Sequence, residues 1–227
     1  LLVAFEGVQM LDVFAETFYA GLNSFVLLSI PMFILMGMAV ANSPAGKDLY
    51  TGLDRWLWRV PGGLVISNIG ACSIFAALSG SSPATCAAIG TMGIPEMRKR
   101  GYSDEIATGT IAAGGTLGVL IPPSIVLIVY GLATGTSIGR LFLSGIIPGF
   151  MLASLFALWA LFHSYFIDKT SSKALRNKKP PTLKQKLEVL PRIFPFLAII
   201  IGVLYVLYGG VATPSEASGV GAFLVFV

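Results

Sequence analysis

The chain has 227 residues, of which 55% are hydrophobic and 11% charged, with a formal net charge of +4 and a mean hydropathy of +0.83. An average soluble domain has about 25% charged residues, so this composition excludes an ordinary soluble protein and predicts an integral membrane protein. Glycine and proline are frequent inside the apolar runs, which favours helices over the alternating strands of a β-barrel. The predicted fold class is therefore all-α.

Apolar runs of about 20 residues are long enough for a helix to cross a bilayer. Four such runs are present, at 23–41, 106–134, 141–166 and 193–211. The chain starts without methionine or a basic leader and stops inside a further apolar stretch, so we expect it to be a piece of a longer protein.

Between the first and second runs, residues 50–60 read YTGLDRWLWRV. Trp56 and Trp58 alternate with charged side chains, a pattern typical of a helix that lies in the membrane interface. Two interpretations remain open: a helix that joins a fixed scaffold to a moving domain, and a plain interfacial connector.

Residues 62–95 predict a re-entrant helical hairpin. The outward arm is apolar to about Leu78, and the return arm at 83–94 has some twelve residues, which is roughly 18 Å and too short to span. The polar sequence SGSS, Ser79 to Ser82, would then form a tip near mid-membrane. Irregular backbone at that depth is tolerated where it is buried in protein or lines a cavity, so the tip is expected to face a site.

Residues 112–131, AAGGTLGVLIPPSIVLIVYG, predict a second interruption, within a broken helix at 104–134. Gly114, Gly115 and Gly118 weaken the helix, and Pro122 and Pro123 remove two amide donors. We expect two half-helices with free carbonyls between them, from Gly114 to Pro123. Paired interruptions of this kind indicate substrate and ion sites in secondary transporters, although each alone could be a packing kink.

Basic residues predict the orientation of the chain. One cluster is Arg98 to Arg100, and the other is a connection at 169–192. Two spans separate the clusters, so both should face the cytoplasm. We interpret the long basic connection as a polar linker rather than as a site for nucleic acid or lipid headgroups. Its basic residues are Lys169, Lys173, Arg176, Lys178, Lys179, Lys184, Lys186 and Arg192.

The sequence argues against a metal site and against a protease active site. Cys72 and Cys86 lack metal-ligand spacing and are expected to be buried thiols. The sequence GSSP is not a protease nucleophile elbow, and the single histidine, His163, lies at the far end of another span. No Asp or Glu falls inside the runs or hairpin arms, which favours sodium coupling over proton coupling. A gated anion channel or another ion-coupled anion transporter remains an alternative.

Taken together, these motifs resemble the large membrane subunit of the TRAP transporters, the tripartite ATP-independent periplasmic family. SGSS, IPPS, LFLSGIIPG and ATPSEA occur in the family's order, and the resemblance covers nearly the whole chain. It implies a sodium-driven importer of organic acid anions, such as C4-dicarboxylates, sialic acid or other sugar acids, that works by an elevator motion. It also implies a bacterial inner-membrane location, a small membrane subunit and a soluble periplasmic substrate-binding protein as partners.

The resemblance also implies a domain division and a site. Residues 1–61 would be a scaffold-like span with its connecting helix, 62–136 half of the transport domain, 137–192 a span and the basic loop, and 193–227 a span and the start of a second inverted repeat. The sodium ion would be held by Ser79, Gly80, Ser81, Gly115, Gly118, Val119 and Pro122. The organic anion would approach Ser82, Thr85 and Ser124.

Overall fold

A computed structural model describes residues 9–60, 62–166 and 181–226, and the regular structure in those ranges is helical throughout. The all-α prediction is therefore confirmed. The basic residues from Lys169 to Lys179 lie outside the described residues. The helices are α1 (Gln9–Leu22), a 3-10 turn (Phe25–Leu28), α2 (Ser29–Ala41), α3 (Pro44–Trp56), α4 (Gly63–Ser79), α5 (Ser82–Lys99), α6 (Asp104–Leu120), α7 (Ile125–Thr134), α8 (Ile138–Phe166), α9 (Leu183–Tyr208) and α10 (Pro214–Phe226).

In the part of the chain that the structure describes, three stretches are long and apolar enough to cross a membrane: Asp104–Thr134, Ile138–Phe166 and Leu183–Tyr208. A fourth consists of Asp12–Leu22 and Phe25–Ala41, bent by 55°. The four predicted runs thus correspond to helices. The sequence did not predict the bend, which falls where the first run was expected to begin.

The second basic cluster is partly helical, which corrects the expectation of a loop up to Arg192. Thr182 and Gln185 form a capping box that starts α9 at Leu183, so Lys184, Lys186 and Arg192 lie on the helix. The same helix ends at Tyr208, three residues before the end of the predicted run.

The predicted hairpin is formed by α4 and α5, which are joined by Gly80 and Ser81. The return arm is longer than expected, because α5 continues through Pro95 to Lys99. Its 18 residues correspond to about 27 Å, close to the thickness of a hydrocarbon core. The arm is therefore longer than predicted, but its last turn carries Arg98 and Lys99, and α5 is not among the described stretches that are apolar enough to span. The depth of the tip stays a prediction.

The interruption in the next span is shorter than predicted. Helix α6 runs without a break through Gly114, Gly115 and Gly118, and only 121–124 are non-helical. The prolines alone interrupt the helix. Glycine costs a helix up to about 1 kcal/mol per residue, and close packing of α4 and α5 on this face of α6 offsets that cost.

The core lies where α4, α5 and α6 pack together, with α8 covering α4 and α6. Fully buried side chains there include Phe75, Leu78, Ile89, Leu117 and Phe142. Helix α10 packs on α2, and α3 packs against both α4 and α9.

Helix α3 covers part of the segment predicted to lie in the membrane interface, but with different limits: it begins at Pro44 and ends at Trp56, before Trp58. Its position in the interface stays a prediction. Its Asp54 accepts from Arg100, and its Arg55 donates to the Gln185 carbonyl at 2.8 Å. The end of α5 and the start of α9 therefore lie at one end of the molecule, as the charge pattern predicts.

Candidate ion and substrate site

The hairpin tip is a tight polar turn between α4 and α5. Gly80 has φ +57°, a left-handed conformation that favours glycine, and Ser81 is extended. Inside the turn, the buried Thr85 hydroxyl donates to the Ser81 carbonyl at 2.8 Å and lies 3.0 Å from Ser79 Oγ. These contacts fix the shape of the tip.

The tip packs directly against the interrupted span. The Ile125 amide donates to the Gly80 carbonyl at 3.1 Å, so the start of α7 is bonded to the tip. A Cβ on Gly80 would lie 2.6 Å from the Pro123 carbonyl oxygen, and a Cβ on Gly118 would lie 2.7 Å from Ser81 C. Main chain therefore meets main chain at this contact, and no side chain fits between.

The interruption leaves carbonyl oxygens without amide donors. Pro122 and Pro123 have no N–H to give to Gly118 and Val119, which lie four residues earlier. The Ser124 hydroxyl donates to the Val119 carbonyl at 2.6 Å in place of the missing amide. Among the described residues, no hydrogen bond reaches the carbonyls of Ile121, Pro122 and Pro123. Neutral oxygens of this kind are suitable ligands for a hard cation.

Two helices also begin at this contact. Helix α5 starts at Ser82 and α7 at Ile125; neither has an acidic residue in its first turn, and neither N-cap serine makes a side-chain capping bond. Helix N-termini carry partial positive charge and unpaired amides, which favour an anion. The contact therefore combines free carbonyls with two uncapped helix N-termini.

The structure brings the predicted site residues together on these elements. Ser79, Gly80, Ser81, Ser82 and Thr85 form the tip and the start of α5, and Val119, Pro122 and Ser124 surround the interruption. Gly118 touches the tip from α6. Gly115 lies about one turn earlier in the same helix, where an added Cβ would collide with Cys86 Sγ and lie 3.5 Å from the Ser82 carbonyl oxygen.

Glycines of two further helices also touch this region, and sequence reasoning missed them. A Cβ on Gly37 of α2 would lie 2.8 Å from Ser79 Cβ, and one on Gly145 of α8 would lie 2.7 Å from the Leu120 carbonyl oxygen. The small residues of LFLSGIIPG were a usable signal for α8. The sequence around Gly37 gave no comparable signal.

The two cysteines pack against this glycine face. Cys72 is buried against Gly114 and Cys86 is partly buried against Gly115, and both are free thiols. Within the described ranges no group of three or more His, Cys, Asp or Glu side chains is placed to hold a metal ion. Main-chain and hydroxyl oxygens are thus the polar groups that this contact offers.

Comparison with known families identifies the architecture. The profile of the DctM component of the tripartite ATP-independent periplasmic transporters matches residues 1–227. The chain belongs to this family. It is therefore a multi-pass protein of the bacterial inner membrane, in line with its apolar helices.

Individual relatives have different named substrates. The chain is similar to the C4-dicarboxylate TRAP transporter large permease protein DctM of Vibrio cholerae (40% identity, 92% of this chain, 45% of the relative). It is also similar to the isethionate TRAP transporter permease protein DctMQ of Oleidesulfovibrio alaskensis (37% identity, 96% of this chain, 33% of the relative). A third relative is the ectoine TRAP transporter large permease protein TeaC of Halomonas elongata (34% identity, 94% of this chain, 49% of the relative). The chain thus spans about half or less of each relative's length. These relatives are transport permeases, consistent with the prediction that the chain is not an enzyme.

Proposed function

We propose that this chain forms half of the transport site of a sodium-coupled importer of small organic anions. The observation that carries the proposal is the contact between the hairpin tip and the interruption at 121–124, where free carbonyls lie beside two uncapped helix N-termini. The carbonyls suit sodium, and the N-termini suit an anion.

Sodium coupling is favoured by the residues that line the contact. The tip and the interruption contain no Asp, Glu or His, which are the groups that relay protons in proton-coupled transporters. We assign the ion to oxygens of Ser79, Gly80, Ser81, Gly118, Val119 and Pro122. We also keep Gly115 among the residues proposed to surround the sodium ion, because it lies close to the tip.

The three hydroxyls assigned to the anion have different surroundings. Thr85 and Ser124 are buried and already donate to carbonyls, whereas the Ser82 hydroxyl makes one long contact of 3.4 Å with the Thr116 carbonyl. We therefore propose that Ser82 donates directly to the anion. Thr85 and Ser124 would hold the backbone in position around it.

The complete transporter would contain a small membrane subunit and a periplasmic substrate-binding protein, and its transport domain would move as an elevator. The named relatives handle C4-dicarboxylate, isethionate and ectoine. Each of these compounds has a carboxylate or sulfonate, so an organic acid is the substrate class proposed here. A gated anion channel is the second candidate, because interrupted helices also occur in channels.

The test is uptake by the complete transporter in proteoliposomes with imposed gradients. We expect saturable uptake that requires a sodium gradient, and Ser81→Ala should raise the sodium concentration for half-maximal uptake by up to about fivefold. Ser144→Ala on α8 is the matched control, because the exposed Ser144 hydroxyl bonds to the Leu141 carbonyl of its own helix, and it should leave that concentration unchanged. Uptake driven by a proton gradient without sodium, or conductance that does not saturate, would contradict the proposal.

A further inference from the structure

A second polar cluster lies at the other end of the hairpin, between α3 and the end of α5. Arg100 donates to both carboxylate oxygens of Asp54, at 2.7 and 2.9 Å, and to Glu96 at 2.6 Å. The Arg100 and Asp54 side chains are only 18% and 14% exposed. Burial lowers the pKa of Arg100, but its bonds to Asp54 and Glu96 more than compensate and raise that pKa above its usual value.

A pocket of about 350 Å³ opens beside this cluster. Its charged lining is Lys47 and Asp54 from α3, Glu96 and Lys99 from α5, and Arg100 directly after α5, which leaves one net positive charge. Arg100 already balances carboxylates. The ammonium groups of Lys47 and Lys99 form no ion pair with the residues that the structure describes.

Tyr50 is a second, independent observation at this pocket. It also lines the pocket and is 5% exposed, and its hydroxyl is buried without a hydrogen-bond partner in the described parts of the chain. Burial raises the pKa of Tyr50, Arg100 opposes the effect, and the nearby Asp54 and Glu96 carboxylates add to it, so the hydroxyl stays protonated. A buried donor without an acceptor is unfavourable, and an oxyanion would supply the acceptor.

The position of the pocket suggests the source of that oxyanion. Trp56 on the same helix is 55% exposed, and exposed tryptophan beside basic side chains is typical of the membrane interface. The charge pattern places this end of the molecule in the cytoplasmic leaflet. Phosphate groups of lipid headgroups lie at that depth.

We propose that this pocket binds a phosphate group through Lys47, Lys99 and the Tyr50 hydroxyl. The phosphate comes from an anionic lipid of the cytoplasmic leaflet or from free phosphate. This site is separate from the contact at the hairpin tip and does not depend on sodium coupling.

The first experiment measures lipid retention by native mass spectrometry. The complete transporter is placed in nanodiscs of phosphatidylcholine with a minor fraction of phosphatidylglycerol. We expect the wild type to retain phosphatidylglycerol selectively, and the double variant Lys47→Gln/Lys99→Gln to lose about fivefold in selectivity for each lysine. The control variant Lys184→Gln/Lys186→Gln removes the same charge outside the pocket lining and should lose less than about twofold.

Tyr50→Phe separates binding from folding. The tyrosine hydroxyl has no partner without the ligand, so we expect an unchanged or higher melting temperature in nanodiscs without anionic lipid, together with about fivefold weaker phosphatidylglycerol retention. A lower melting temperature with unchanged retention would assign Tyr50 to the fold alone and contradict its role in binding.

Inorganic phosphate distinguishes the two sources. Added at millimolar concentration to nanodiscs without anionic lipid, it should raise the melting temperature of the wild type, but not of the pocket double variant, if free phosphate is the ligand. Selective lipid retention without that shift assigns the lipid headgroup. If neither measurement differs between the pocket and control double variants, the proposal is overturned.

Discussion

The two ends of the hairpin are held to their neighbours in opposite ways. At the tip, Gly80 and Gly118 bring main chain against main chain without a formal charge. At the other end, Arg100, Asp54 and Glu96 join α5 to α3 through charged side chains. The tip therefore depends on the absence of side chains, and the other end depends on their functional groups. Substitutions that test size and substitutions that test charge should separate the two regions.

The largest effect on uptake is expected at Gly118, where the addition of a single methyl group tests the tip. The Cβ of Gly118→Ala would lie 2.7 Å from Ser81 C and Ser82 N, which are backbone atoms that cannot move aside alone. We expect a loss of about 1–3 kcal/mol in stability and at least tenfold in uptake. Gly118→Val should abolish uptake.

Gly109→Ala on the same helix is the matched control, because nothing lies within 4 Å of its added Cβ. It should keep full uptake and raise stability slightly, since alanine is the better helix former. If both alanine variants behaved alike in proteoliposome uptake and thermal unfolding, the close contact at Gly118 would be refuted.

The next effect is expected at the charged end, where Arg100→Gln tests the ion pairs. Removing Arg100 leaves the mostly buried Asp54 without its bidentate partner, and the expected cost is about 3 kcal/mol. Arg98→Gln breaks the pair with Asp104, in which the two side chains are 55% and 67% exposed, and should leave the melting temperature nearly unchanged. Thermal unfolding of both variants in one detergent makes the comparison. Equal losses would mean that burial does not govern these pairs.

The smallest effect is expected at Thr85, whose hydroxyl is the side-chain component of the tip. Thr85→Val keeps the shape but removes the contacts with the Ser81 carbonyl and Ser79 Oγ, at an expected cost of about 1–2 kcal/mol. Thr91→Val, in the same helix, removes only a bond to the Ala88 carbonyl and should cost less than about 0.5 kcal/mol. Chemical unfolding curves should distinguish them. A Thr91→Val loss as large as that of Thr85→Val would show that the tip is not held by this hydroxyl.

The sequence predicted the features that depend on local chemistry. Gly80 and the proline pair mark the turn and the interruption because they restrict or free the backbone directly. The sequence did not predict the features that depend on tertiary contacts. The glycines of α6 looked like a weak helix, yet α4 and α5 hold that helix intact, and Pro95 did not end α5. The approach of Gly37 to Ser79 depends on how the first span bends, which no local pattern specifies.

The main-chain contact at the tip also limits how the protein can diversify. Where side chains are the ligands of a site, replacing one of them can change which compound is bound. At Gly80 or Gly118, any replacement places a side chain against the backbone of the neighbouring segment. A deep mutational scan should therefore record these positions as intolerant of all nineteen alternatives, whatever compound is imported. Under the proposed function, a new substrate preference would have to arise at neighbouring positions that have room to vary, such as Ser82, while the glycines stay fixed.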